Sequence, residues 1–324
     1  MNDFLEELQA VLPALEVKKG AEIAGLTAFR TGGSVSCLLT VDTSEMLIKV
    51  VSLAWKHDVE VRIIGSGTNI LVSEDGFDGV VIKNNCRKFD LQGMKGKFMN
   101  QQVKLTQAYL YAESGAIMNQ VVRFVIDQGF GGIEFALGLP GTVGGAVCVN
   151  ANFPKENIRI GRAVYAAKIL TKDQGVIDVD NNYFRFGEDS SRLLSDRAVL
   201  ISVLFALYPE EKKKLWERAE QAVAYRTTTQ PKMLMTGMTF RNMTLKNLYP
   251  NSSLPSDVTP ELLLEKAGLL GVRVGDVEMW DQNPRYIINK GKGTLSDVEK
   301  LQSRVRETLF RQFGVQLEVA LHGL

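Results

Sequence analysis

The sequence predicts a mixed chain of α-helices and β-strands, in two or three domains, folded around glycine-rich turns. Three observations predict it. The chain has 324 residues, 45% of them hydrophobic, and that length exceeds one ordinary domain. Apolar residues recur at helical spacing in some stretches and form short continuous strands in others, in alternation along the chain. Two glycine-rich runs, "GSGTN" at 65–69 and "GLPGTVGGA" at 138–146, interrupt these elements where helix or strand would otherwise continue.

The elements follow in order. "SVSCLLTV" (34–41) reads as a strand, and "TSEMLIKVVSLAWKHD" after it has a Thr/Ser start and helical apolar spacing. "VEVRIIGSGTNILV" runs from strand into glycine turn, and "GVVIK" (79–83) is a short apolar strand. Together these make a β-α-β unit. Residues 84–104 read as a polar stretch. The segment after it holds a strand, an amphipathic helix over 117–128 and two glycine turns. Residues 163–207 read as strands joined by turns, and "PEEKKKLWERAEQAVAYR" as a charged, solvated helix. The last third alternates helices (261–267, 296–313) with strands (285–289, 315–321), after a linker near 243–260. No internal repeat is visible.

Composition excludes several classes. Lys and Arg number 38 against 37 Asp and Glu, a formal net charge of +1, which gives no electrostatic case for nucleic acid or an anionic membrane. A local basic groove for a nucleotide stays open. The opening "MNDFLEELQAVLPALEVKKG" is acidic and amphipathic, without the basic and apolar regions of a signal peptide. No run reaches the length of a membrane span. Cys37, Cys86 and Cys148 are odd in number and form no CxxC pair; a reducing, cytoplasmic setting is expected. Cys148 reads as a packed small residue. Of two histidines, His57 ends a helix and reads as structural, so neither a His-rich metal site nor a Ser-His-Asp triad is expected. Oligomeric state is not legible.

Glycine costs about 0.5–1 kcal/mol against alanine inside regular elements. Runs of it make sense where backbone must come close to something flat or charged. Backbone N–H groups on the 65–69 turn can face a diphosphate. The turn alone is a weak signal, because Asn69 and Ile70 break the dinucleotide pattern GxGxxG.

The combination is more specific. "TAFRTGG" (27–33), "GSGTNILVSEDGFDGVVIK" (65–83) and "GFGGIEFALGLPGTVGGAVCVNA" (129–151) occur in this order, followed by "QP" (230–231), "GMTFRN" (237–242), "LLEKAGLLGVRVGD" (263–276), "YIIN" (286–289) and "FGVQLE" (313–318). Over residues 20–324 the chain resembles the UDP-N-acetylenolpyruvoylglucosamine reductase (MurB) family. The resemblance implies an α+β chain with a FAD-binding fold of the vanillyl-alcohol-oxidase (PCMH) type. Its two subdomains would be 1–84 and 85–212, with a MurB-like α/β substrate domain at 213–324. It implies FAD as cofactor, NADPH as electron donor, a nucleotide-sugar substrate and a part in peptidoglycan synthesis. Carried over, Gly65, Ser66, Gly67, Thr68 and Asn69 would hold the diphosphate. Gly138, Pro140, Gly141, Thr142, Gly144, Gly145 and Ala146 would line the flavin, with Arg30, Thr31 and Gly32 in the same site. Arg226, Gln230 and Asn242 would serve the substrate.

The family's three catalytic positions are replaced. In such enzymes hydride passes from reduced flavin to a vinyl carbon, while fixed donors stabilise the developing charge and a serine supplies a proton. The serine position is Met238, the arginine position Asp189 and the glutamate position Ala320. Thr239, Glu318 and Arg185 (or Arg192) are the residues from which a rescue could come. Glu318 shares a strand face with Ala320, two rises of about 3.3 Å away. Family turnover is therefore expected to be lost or much reduced. The alternatives are a working UDP-N-acetylmuramate dehydrogenase with relocated acid and base, and a flavin-free scaffold or regulator of cell-wall synthesis.

Overall fold

Thr43, in extended backbone, accepts a hydrogen bond from Met46 N on its side chain and so starts the helix Ser44–Lys56. The computed structural model describes residues 1–324 except 100–101, 197, 233, 241–257, 316, 318–321 and 324. Asn242, Glu318, Ala320 and nearly all of the linker expected near 243–260 lie outside the described residues. The chain divides into two compact units that interleave in sequence.

The first unit comprises Met1–Lys18, Cys37–Gly65 and Gly79–Arg226. The β-α-β unit is here: strands Val61–Ile64 and Phe77–Asn84 run parallel, with Val61 opposite Val80 and Ile64 opposite Lys83. Helix Ser44–Lys56 buries Leu47, Val50, Val51 and Ala54 together with Phe4 and Leu8 of the amphipathic helix Asn2–Val11. His57 closes the longer helix and its Nε2 lies 2.8 Å from Glu7 Oε2, the structural part expected of it.

A larger sheet follows, with strands in the order Gly175–Asp180, Val164–Thr171, Val199–Pro209, Gln102–Glu113, Phe89–Met99. The polar stretch expected at 84–104 is mostly strand: Phe89–Met99 and Gln102–Glu113 form one long antiparallel hairpin. Backbone pairing carries it, since residues 94–97 are exposed and lack an apolar alternation. Helix Met118–Asp127 buries Val121, Val122, Val125 and Ile126 in the core of this sheet.

The second unit comprises Lys19–Ser36, Ser66–Asp78 and Thr227–Leu324. Its four-stranded sheet has the order Met235–Met238, Tyr286–Asn289, Val277–Met279, Arg273–Val274. Helix Leu295–Phe313 opens on a capping box between Thr294 and Asp297 and closes on Gly314 at φ 66°. It buries Val298, Leu301, Val305 and Leu309 with Leu263, Leu264, Ile287, Phe29 and Leu71. Of the strand expected at 315–321 the described part is short; His322–Gly323 pairs in parallel with Ile70–Leu71.

Candidate functional site

In the first unit the run 138–146 is stitched to residues 114–119. Met118 N donates to Gly141 O, Val143 N to Ala116 O and Gly144 N to Ser114 O, at 3.1, 2.8 and 2.7 Å. Asn119 holds the start of the loop, accepting from Gly138 N and donating to Leu139 O. Thr142 then caps the short helix Val143–Cys148 through Gly145 N.

Arg226 is buried beneath this loop. Its Nη1 donates to Phe135 O (2.8 Å) and Leu137 O (2.9 Å), and its guanidinium lies 5.6 Å from the Phe153 ring. These two bonds fix the backbone that leads into the glycine run. Cys148 is packed, and burial pushes its thiol up to about 11.

The glycines answer to different neighbours. A Cβ on Gly65 would lie 2.4 Å from Thr142 Oγ1, and one on Gly144 2.8 Å from Ser114 O. The chain itself excludes side chains there. Gly145 is exposed, and a Cβ on it would meet only Thr142 Oγ1, at an ordinary 3.7 Å. Among the described residues, no contact requires glycine at 145. Lys83 completes this part: its ammonium donates to the Gly65 carbonyl, and burial, with Arg87 adding to it, lowers its pKa. Sequence reasoning passed over Lys83; the signal is a charged residue closing the apolar strand "GVVIK".

In the second unit the 66–69 turn packs on residues 24–32. Ala28 N donates to Gly67 O at 2.9 Å, and a Cβ on Gly67 (φ 67°) would fall 2.0 Å from Leu26 O. Arg30 adopts φ 58°, a left-handed conformation rare outside glycine. Gly32 lies against Val72, where a Cβ would be 2.8 Å from Val72 Cβ. The structure thus brings together the residues expected at 30–32 and 66–69. Thr27 Oγ1 donates to Thr31 O, yet the Thr31 hydroxyl is itself buried without a hydrogen-bond partner.

Of the three positions expected to be replaced, Asp189 lies in the first unit and Met238 in the second. In the first, Glu188 and Asp189 form the tip of a turn closed by Gly187 N to Ser190 O, with Asp189 at φ 46°. Arg159, from the short strand Ile158–Arg159, places Nη1 3.5 Å from Asp189 and Nη2 3.5 Å from Glu188. Arg185 is exposed at φ 44°, and Arg192 is held by Asp196 at 2.6 Å.

In the second unit, Met238 stands opposite Tyr286 in the sheet. Thr239 is fully buried, its hydroxyl 3.0 Å from Thr236 Oγ1. Arg285, also missed from sequence, is buried and donates from Nε and Nη2 to Phe240 O and from Nη1 to Glu261. Gln230 is half-buried.

Taken unit by unit, these residues suit parts of a flavin dinucleotide. The unpartnered Thr31 hydroxyl calls for a hydrogen-bonding group from outside the chain, and the open side of Gly145 leaves room for a flat one. No group of His, Cys, Asp or Glu among the described residues could hold a metal ion, and no described helix is long and apolar enough to cross a membrane.

Comparison with known proteins agrees. Residues 35–179 match the FAD binding domain family, and residues 230–322 the C-terminal domain of UDP-N-acetylenolpyruvoylglucosamine reductase. The reductase of Clostridium tetani is 27% identical over 325 residues, covering 99% of this chain and 97% of that one. The crystal structure of the Thermus caldophilus enzyme superposes with a TM-score of 0.74 at 24% identity, over 95% of this chain and 99% of that one, so the fold is shared. The fold class is therefore the expected one: α+β, a FAD-binding fold followed by a MurB C-terminal domain. The reductase of Rubrobacter xylanophilus is 31% identical over 320 residues, 96% of this chain and 95% of that one, and on this evidence the chain belongs to the UDP-N-acetylenolpyruvoylglucosamine reductase family.

Proposed function

We propose that this chain is a FAD-binding member of the family in which reduction of UDP-N-acetylenolpyruvoylglucosamine is lost or much reduced. The observation that carries the reading is Asp189. It stands where the family resemblance calls for arginine, and Arg159 lies against it at 3.5 Å. On this reading two carboxylates, Glu188 and Asp189, would face the place where a substrate carboxylate develops charge, and like charges there repel. Met238 adds to this, since it has no proton to give. Thr239, the next residue in the chain, is buried with its hydroxyl against Thr236. One lost general acid costs about 10²–10⁴-fold, and losses within one catalytic group do not multiply.

FAD would be held by residues 65–69, 138–146 and 30–32, with Lys83 adding a positive charge near the first glycine and Thr31 donating or accepting one hydrogen bond. When bound, it would supply two-electron hydride chemistry, with NADPH as its donor. The same reading keeps residues 1–84 and 85–212 as the flavin-binding subdomains and 213–324 as the substrate domain. It also keeps a cytoplasmic setting, with Arg226, Gln230 and Asn242 as substrate residues.

A second reading, a working reductase with relocated groups, is favoured by Arg159, which brings a guanidinium back beside the vacated arginine position. Anaerobic reduction of the purified holoprotein, followed by addition of UDP-N-acetylenolpyruvoylglucosamine, separates the two. Flavin absorbance that stays bleached supports the first reading. Prompt return of the oxidised spectrum refutes it. A protein purified without flavin from cells supplied with riboflavin would instead support a scaffold or regulator.

A further inference from the structure

The Arg159–Asp189 pair carries two unspent hydrogen-bonding atoms. Asp189 Oδ1 accepts from Asn152 Nδ2 at 2.7 Å, but Asp189 Oδ2 is buried with no partner. Arg159 Nη1 is likewise buried without a hydrogen bond; its 3.5 Å approach to Asp189 Oδ1 is an ion-pair contact. An orphaned acceptor and an orphaned donor thus belong to two side chains that already touch. Each such group costs about 1–3 kcal/mol when left unmet, so the arrangement is expected to be completed by something else.

The pair is rigidly mounted. Asn150 Nδ2 donates to Gly187 O and Ser191 Oγ to Cys148 O, both at 2.7 Å, which pins the turn carrying Glu188 and Asp189. Asn152, which orients Asp189, stands directly opposite Arg159 in the strand pair. Asp189 keeps a left-handed backbone at φ 46°; such conformations persist where surrounding structure over-determines them. The residue that follows the glycine helix and the turn at 187–190 are thereby one assembly.

We infer that this pair recognises a carboxamide on the ligand, its C=O accepting from Arg159 Nη1 and its N–H donating to Asp189 Oδ2, and that it discriminates against a carboxylate. The inference rests on the proposed function, in which Asp189 occupies a substrate-facing position. A carboxylate could accept from Arg159 but would meet Asp189 Oδ2 and the nearby Glu188 with no proton between them. An ammonium would satisfy Asp189 but leave Arg159 Nη1 unmet. The carboxamide alone of the three matches one donor and one acceptor side by side. It can come from the sugar-borne substrate or from the nicotinamide of the electron donor.

The test uses two ligand pairs that differ only in this group, titrated into the oxidised holoprotein with the flavin spectrum as readout. One pair is UDP-N-acetylenolpyruvoylglucosamine and its enolpyruvamide analogue. The other is nicotinamide mononucleotide and nicotinate mononucleotide. The amide of at least one pair is expected to bind tenfold or more tightly than its acid, and the pair that responds identifies the source. Asp189→Asn is expected to narrow that ratio to below threefold while flavin content and melting temperature hold. Equal or tighter binding of both acids overturns the inference, as does failure of all four to bind, which would leave the pair bridged by water only. An unchanged ratio in Asp189→Asn also overturns it. Reoxidation of the reduced flavin by the enolpyruvyl substrate would instead remove the proposed function beneath it, and is scored separately.

Discussion

Gly144 and Gly145 are neighbours in one short helix, yet alanine at each is expected to act in opposite ways. At 144 the new Cβ would lie 2.8 Å from Ser114 O and 3.0 Å from Ser114 Cβ. Ser114 cannot retreat without stretching the 2.7 Å hydrogen bond it accepts from Gly144 N. Gly144→Ala should therefore destabilise the flavin-free protein by about 1–3 kcal/mol, the usual cost of overpacking. At 145 the Cβ meets only Thr142 Oγ1 at 3.7 Å, and φ is not positive there. Gly145→Ala should stabilise the same protein by about 0.5–1 kcal/mol through helix propensity alone, raising its melting temperature by roughly 1–4 °C. Gly145→Leu should keep most of that gain. If the open side of Gly145 is where the flavin lies, both 145 variants lose FAD affinity, the leucine by at least tenfold, or about 1.4 kcal/mol. Stability must be read on deflavinated protein, because bound FAD adds RT ln(1 + [L]/Kd) and would mask the sign. Fluorescence quenching titration of FAD gives the affinity. A Gly145→Leu protein that binds FAD as tightly as the parent would refute the placement of this loop at the cofactor.

Three further outcomes are expected. Arg226→Lys keeps the charge but loses the planar fork, so Phe135 O and Leu137 O lose their shared donor; FAD affinity should fall by about tenfold or more, and unchanged titrations would sever Arg226 from the loop. Arg285→Met removes the two donors that Phe240 O now holds, and urea denaturation should show a loss of about 2–4 kcal/mol; a loss below 0.5 kcal/mol would refute the role given to it. Glu7 is held below the ordinary carboxylate value of 4.5, first by its hydrogen bond from Lys56 and then by that with His57. A depressed carboxylate contributes above its unfolded pKa and loses that contribution as pH falls through the folded one. Lys56→Ala should accordingly raise the Glu7 pKa in an NMR titration, and an unmoved value would discount the ion pair.

Helices with strong periodicity and a cap were legible in the sequence. "TSEMLIKVVSLAWK" has both, and Thr43 does cap that helix. The hairpin at 89–113 was not legible, because "LQGMKGK" alternates nothing and carries no turn dipeptide. Its order comes from backbone pairing to a strand that is itself buried between neighbours. The glycine runs were legible as close approaches, but not what they approach. A sequence cannot tell that Gly65 makes room for Thr142 and Gly67 for the carbonyl of Leu26, while Gly145 makes room for nothing among the described residues. Glycine reports only that a side chain is absent.

The altered site shows why residue-by-residue comparison along a chain runs short. Read along "FGEDSS", Asp189 is a reversal of charge, and two adjacent carboxylates look simply repulsive. The counter-charge is thirty residues upstream, in a two-residue strand that has no motif of its own. Strand register does the work: Arg159 stands opposite Asn152, and Asn152 holds Asp189. On the proposed reading, in which Asp189 holds the family's arginine position, Arg159 brings a cation beside it but not the same geometry. Here the guanidinium faces a carboxylate rather than open space, so it is already partly neutralised. An anionic substrate would have to displace or share that partner, whereas a neutral group with both a donor and an acceptor need not. On the proposed reading, aspartate at 189 both removes the family's reduction and changes what the position recognises.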